Sequence, residues 1–133
     1  MGKRIMDIMT RGVVTARVDN SVRQVAQSMV ESTVSVVVIV DEQGGACGVI
    51  SKTDILKCWG KDIDALCAEA IMSSQIQSLS PDVSLSEAAA VLMIKKIHQL
   101  VIMKGDRLES RKPVGILTIP DLMKEMITGI PGA

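Results

Sequence analysis

Residues 48–56 read "GVISKTDIL", and residues 115–123 read "GILTIPDLM". Both run Gly, two apolar residues, a hydroxyl, two variable positions, Asp, then two apolar residues. The echo extends outward. "DIMTRGVVTARVDNSVRQVAQSMV" aligns with "EAIMSSQIQSLSPDVSLSEAAAVLM", so that Met9 and Met72, Thr15 and Ser78, Ser21 and Ser84, and Val22 and Leu85 all stand 63 apart. Asp54 and Asp121 stand 67 apart, so the second copy carries four extra residues. They fit between Met103 and Gly115, where "KGDRLESRKPV" replaces the tighter "DEQGGAC"; a hairpin loop is the cheapest place for an insertion.

Each copy predicts the same order of elements. A short strand comes first ("VVTA", "IQSL"), with Thr15 and Ser78 at its end. A helix follows, capped by Ser21 or Ser84. Its apolar positions are Val22, Val25, Ala26, Met29 and Val30, or Leu85, Ala88, Ala89, Leu92 and Met93, one buried stripe at helical spacing. Then come a buried strand ("VSVVVIV", "HQLVIM"), a loop, a strand ending in the repeated motif, and a second helix. A β-α-β-β-α unit of about 60 residues buries too little alone and pairs with its copy. The expectation is an α/β (α+β) fold in which two pseudo-symmetric units pack as one compact module. The first unit spans 1–60, a linker 61–70 with Gly60 breaking the helical pattern before it, and the second unit 71–133.

Composition narrows the function. Of 133 residues 47% are apolar, yet there is no Phe, no Tyr and one Trp, against nine Met, so branched aliphatics and thioethers fill the core. Fifteen basic and fifteen acidic residues cancel, which leaves no net field to draw nucleic acid or an acidic membrane. The missing aromatics remove base-stacking platforms as well. The basic cluster Arg107, Arg111 and Lys112 reads as a solvated loop. No apolar run approaches the roughly 20 residues of a membrane span. Cys47, Cys58 and Cys67 show no disulfide or zinc spacing, in keeping with reduced thiols in a cytoplasmic protein.

Ser/Thr-x-x-Asp has two readings. As a capping box, Ser51 and Thr118 open helices, each acid closes the box, and Pro120 suits the first turn. As a ligand site, a helix N-terminus with free N–H groups and a hydroxyl accepts phosphate, while the carboxylate accepts the two hydroxyls of a ribose. Gly48 and Gly115 then serve a close approach or a tight turn.

The motif Gly-x-Ile/Leu-Ser/Thr-x-x-Asp-Ile/Leu, twice over in tandem β-α-β-β-α units and preceded each time by "IM", resembles a cystathionine-β-synthase (CBS) domain pair, or Bateman module. The likeness runs from "DIMT" at 7–10 to "DLMKEM" at 121–126. It implies a regulatory module that binds AMP, ADP, ATP or S-adenosylmethionine in clefts between its halves. By the same resemblance Asp54 and Asp121 hold ribose hydroxyls, Ser51 and Thr118 face ribose or phosphate, and Thr15 and Ser78 line the base pocket. Val34, Ser35, Val36 and Thr53 complete the first set, and Ile97, His98, Gln99 and Pro120 the second. His98 falls where family members place a basic residue against phosphate. The first copy has no basic residue there, so the two sites are expected to be unequal.

No Walker-type loop, His-Glu-x-x-His or Cys/His cluster is present, so neither catalysis nor a metal or cofactor is expected. Met29, Met93, Met123 and Met126 lie at core spacing. With nothing attached to the pair, the sequence reads as a stand-alone module acting on a separate partner. Ile55, Leu56 and Trp59, with Leu122, Met123, Met126 and Ile127, form apolar faces suited to a homodimer. The alternative is a dimerisation or docking module with silent clefts; a nucleic-acid-binding role ranks below both.

Overall fold

A computed structural model describes residues 2–105 and 111–129. The four-residue insertion and Arg107 of the basic cluster fall on or against 106–110, outside the described residues. The elements in chain order are α1 (Ile5–Ile8), β1 (Thr10–Arg11), β2 (Thr15–Arg17), α2 (Val22–Ser32), β3 (Val36–Val40), β4 (Ala46–Ser51), α3 (Lys52–Leu56), α4 (Ala68–Ile71), β5 (Ser78–Leu79), α5 (Leu85–Lys95), β6 (Gln99–Lys104), β7 (Lys112–Thr118) and α6 (Ile119–Thr128). Helices and sheets are mixed, and the chain divides into two compact units.

In the unit of the first copy, β2 runs parallel to β3 with Thr15 opposite Val38, and β3 runs antiparallel to β4 with Val36 opposite Ser51. Ser21 opens α2 by accepting the Gln24 N–H at 3.1 Å, and the Ser21 N–H in turn donates to Gln24 Oε1 at 2.8 Å. In the other unit the sheet order is β1-β7-β6-β5, with Ser78 opposite Val101. Ser84 caps α5 by accepting from the Glu87 N–H at 3.2 Å. Both long helices end on a left-handed residue, Thr33 and Lys96, which are themselves 63 apart. Thr15 and Ser78 begin their strands rather than end them, because only the residues from there on pair with the neighbouring strand.

The compact unit is not the sequence repeat. One unit is Val13–Ile76 with a short piece ending at Lys112; the other joins the segment ending at Gly12 to Gln77–Gly105 and the chain from Pro113 on. The reason lies in the short helices that precede each repeat. The N–H groups of Ile5 and Met6 donate to the carbonyls of Val83 and Pro81, both at 2.9 Å. The equivalent N–H groups of Ala68 and Glu69 donate to Asn20 and Val18, at 2.7 and 3.1 Å. Each repeat thus lends its opening helix to the body of the other copy. Ile5 and Ala68, both fully buried, enter the two cores at equivalent places, one with Leu92, Leu100, Ile102 and Leu117, the other with Val25, Val37, Ile39 and Ile50.

The "IM" ahead of each repeat explains the motif glycines. A Cβ on Gly48 would meet the Met72 Sδ at 2.5 Å and the Ser73 carbonyl oxygen at 3.0 Å; one on Gly115 would meet the Met9 Sδ at 2.6 Å and the Thr10 carbonyl oxygen at 3.0 Å. Neither glycine has positive φ. Both serve a close approach of chain and methionine, not a turn.

The methionine and stripe expectations need correction. Met29 is buried, but Val30 is 80% exposed, and Met93, Met123 and Met126 are exposed as well. Val30 lies roughly 100° around the helix from the middle of Val22, Val25 and Met29. It therefore points past the sheet that covers them, and Met93 does the same one repeat later. The expected linker is an ordered brace: Leu66 and Ile63 accept the N–H groups of Val22 and Arg23, and the Arg23 guanidinium grips Asp64 at 2.5 and 3.0 Å.

Candidate functional site

The repeated motif straddles the end of a strand and the start of a helix. β4 finishes at Ser51 and β7 at Thr118, and each hydroxyl residue is the N-cap of the helix that follows. The Ser51 N–H donates to Asp54 Oδ2 at 2.8 Å, and the Thr118 N–H donates to Asp121 Oδ2 at 2.9 Å. In return the Asp54 and Asp121 N–H groups donate to the Ser51 Oγ at 3.4 Å and the Thr118 Oγ1 at 3.3 Å. Both boxes are closed, so the capping reading holds in both copies. Each box engages only one carboxylate oxygen: Asp54 Oδ1 and Asp121 Oδ1 accept no hydrogen bond among the described residues. Both aspartates are half-buried.

Sheet register gathers the remaining candidates of each copy at that same end. In the first copy, Val34, Ser35 and Val36 lead into β3, beside the end of β4; the Ser35 carbonyl accepts the Lys52 N–H at 3.2 Å. Thr15, exposed, starts β2 on the other side of β3. In the second copy Ile97, His98 and Gln99 lead into β6, and the His98 carbonyl accepts the Ile119 N–H at 3.2 Å. Ser78 starts β5 beside them. Thr53 and Pro120, both exposed, occupy the second position of their helices.

The copies differ in how the hydroxyls are engaged. Ser51 Oγ lies 2.9 Å from both Asp54 Oδ2 and Thr53 Oγ1. A carboxylate is the stronger acceptor, so the Ser51 proton goes to Asp54 and the Thr53 proton goes to Ser51. Thr118 has no such pair of contacts, because Pro120 stands where Thr53 does. The helices differ too, with five residues in α3 and ten in α6.

Sequence reasoning assigned Ala26, Met29 and Val30 to the core and overlooked Lys52. In the structure these residues, with Thr33, Val34 and Ile55, line an open groove of about 330 Å³ between α2 and α3. The signal was present, since Lys52 and Ile55 belong to the motif, but the groove depends on how α2 and α3 meet. Among the described residues no His, Cys, Asp or Glu cluster could hold a metal ion, and no helix is long and apolar enough to cross a membrane.

Comparison with known proteins gives the family. The CBS domain matches residues 5–60 and 68–128. An uncharacterized protein of Methanopyrus kandleri is 27% identical over 121 residues, covering 89% of this chain and 60% of its own length. An uncharacterized conserved protein from Pyrococcus horikoshii superimposes with a TM-score of 0.83 at 24% identity, over 100% of this chain and 98% of that one. A CBS domain pair crystallised with 5′-methylthioadenosine and S-adenosyl-L-methionine gives a TM-score of 0.82 at 22% identity, over 95% and 97%. CBS domain pairs are generally non-catalytic regulatory modules. With both repeats matched and the fold shared from end to end, the chain belongs to the CBS domain family and carries two copies of its domain.

Proposed function

We propose that the chain is a non-catalytic sensor that binds an adenosine-containing ligand at its duplicated caps. AMP, ADP, ATP and S-adenosylmethionine are the candidate ligands. One observation carries the reading: in both copies the cap holds the aspartate by Oδ2 and leaves Oδ1 open. A carboxylate so fixed is oriented in advance to accept ribose hydroxyls, at little further entropic cost. Ser51 and Thr118 flank the sugar, while Thr15, Val34, Ser35 and Val36 in one copy, and Ser78, Ile97, His98 and Gln99 in the other, surround the base and its substituents. The adenosyl compounds crystallised with one relative of like fold support this ligand class.

Thermal melting of the purified chain with each candidate ligand tests the reading. At 100 times its dissociation constant a ligand adds about 2.7 kcal/mol of stability. Asp121→Ala should cost about 1–3 kcal/mol of affinity, the scale of bonds to a charged acceptor. If it lowers the melting temperature and leaves affinity intact, the aspartate is a cap only.

A docking role has its own support. Val30 and Met93, Leu56 and Met123, and Trp59 and Met126 are repeat-equivalent pairs, and all six are exposed apolar residues. Such faces are costly to leave in water, and we assign them to a homodimer or a regulated partner protein. The chain spans only 60% of the Methanopyrus relative's length. We place the protein in the cytoplasm, where Cys47, Cys58 and Cys67 stay reduced as the free thiols they are.

A further inference from the structure

The two apolar faces are not copies of each other. On α2, α3 and the turn after it the exposed large apolar residues are Val30, Leu56 and Trp59; on α5 and α6 they are Met93, Ile94, Met123, Met126 and Ile127, each 52–80% exposed. Two of these five have no apolar counterpart, since Glu31 stands at the position of Ile94 and Gly60 at that of Ile127. The first face is hollow instead. Its groove of about 330 Å³ is lined by Val30 and Lys52 together with Ala26, Met29 and Ile55. The second copy carries Ile119 at the Lys52 position, and Ile119 packs against the core of its unit. A lysine keeps its ammonium group in water, and Lys52 is exposed. One face recedes where the other projects.

The core of a stable interface packs as densely as a protein interior. Two α2–α3 faces brought together would enclose two grooves with nothing to fill them, and the lining atoms would forfeit their contacts on that side. They would also trap two Lys52 ammonium groups in one apolar space. Two α5–α6 faces would set projecting side chains against projecting side chains. A projecting face laid on a receding one meets neither difficulty. Other exposed charges are mixed, Glu31 and Lys57 on one face, Glu87, Lys95, Lys96 and Lys124 on the other, so shape decides the pairing. A stable interface buries about 800 Å² on each partner, which draws on both faces rather than one.

We infer that a second copy of this chain occupies the groove, with Ile94 of one molecule seated beside Val30 of the other, so that unlike faces meet. The inference rests on the homodimer assignment above and deepens it. Two such contacts related by a two-fold axis close a dimer.

Sedimentation equilibrium on the full chain tests it, with wild type, Val30→Glu, Ile94→Lys and the double variant compared. Each single variant places one unpaired charge in every unlike contact and should weaken self-association at least about tenfold. In the double variant every unlike contact holds a Glu–Lys pair, so association should recover to at least about tenfold tighter than either single variant. Pairing of like faces gives the opposite order, because the double variant then sets Glu against Glu and Lys against Lys. Both positions are exposed, and circular dichroism confirms that each variant keeps the fold; the reversed pair, Val30→Lys with Ile94→Glu, serves if one does not. Single variants that associate like wild type, or a double variant no tighter than the singles, overturn the inference. A wild-type chain that stays monomeric overturns it together with the homodimer assignment, and leaves the adenosine reading untouched.

Discussion

Gly48→Ala is the sharpest perturbation available, because it tests the exchange of opening helices and the integrity of the motif together. The new methyl would sit 2.5 Å from the Met72 Sδ, 2.8 Å from its Cγ and 3.0 Å from the Ser73 carbonyl oxygen. The thioether can swing away, at the cost of the packing it leaves. The carbonyl cannot move freely, because Ser73 and Val49 exchange two backbone hydrogen bonds of 2.9 Å. Overpacking of this kind costs about 1–3 kcal/mol, and loss of the two bonds would add about 1 kcal/mol each. We expect a loss of about 2–3 kcal/mol, read by urea denaturation with unchanged m-value. Met72→Ala alone should cost about 1–2 kcal/mol, less than a fully buried methionine, because Met72 is only half-buried. Gly48→Ala/Met72→Ala should then be more stable than the sum of the single losses by about 1–2 kcal/mol, since the thioether that collides with the methyl is gone. Strict additivity, or no loss in Gly48→Ala, would refute the claim that these glycines exist to seat the methionines.

Two other expectations follow from single side chains. Trp59 is the chain's one tryptophan and is 87% exposed; if its face closes a homodimer, its emission should move to shorter wavelength as concentration rises, and Trp59→Ala should weaken the dimer. A dimer detected by light scattering with no such shift would place the interface elsewhere. The hydrogen bond from Arg23, helped by its positive charge, holds the Asp64 carboxyl below its ordinary range. A carboxyl lowered on folding contributes stability above its unfolded value, near pH 4, and loses it as pH falls through the folded value. Asp64→Asn should therefore flatten the acid side of the stability profile. Both side chains are exposed, so the difference should be small and should shrink in high salt; an unchanged profile at low salt would mean that the brace owes nothing to this pair.

The motif alone placed both caps, because a cap is made by residues three apart and needs nothing from elsewhere in the chain. Ser51 with Asp54 and Thr118 with Asp121 form the boxes their spacing implied. The same locality made Ser21 and Ser84 legible as helix starts. Val30, Met93, Met123 and Met126 were misread as core for the opposite reason. Helical spacing shows which residues share a face, but the width of the covered arc depends on what lies across from it.

The repeat, the order of elements and the capping chemistry were thus determined by sequence, since each rests on contacts between residues close along the chain or on the likeness of two segments. Tertiary structure decided the rest. It moved α1 and α4 into the opposite copy's core, seated Met9 and Met72 on Gly115 and Gly48, and consumed the first-turn N–H groups of α6 with partners as distant as His98. Those outcomes depend on backbone groups and volumes meeting across long separations, and no local pattern encodes them.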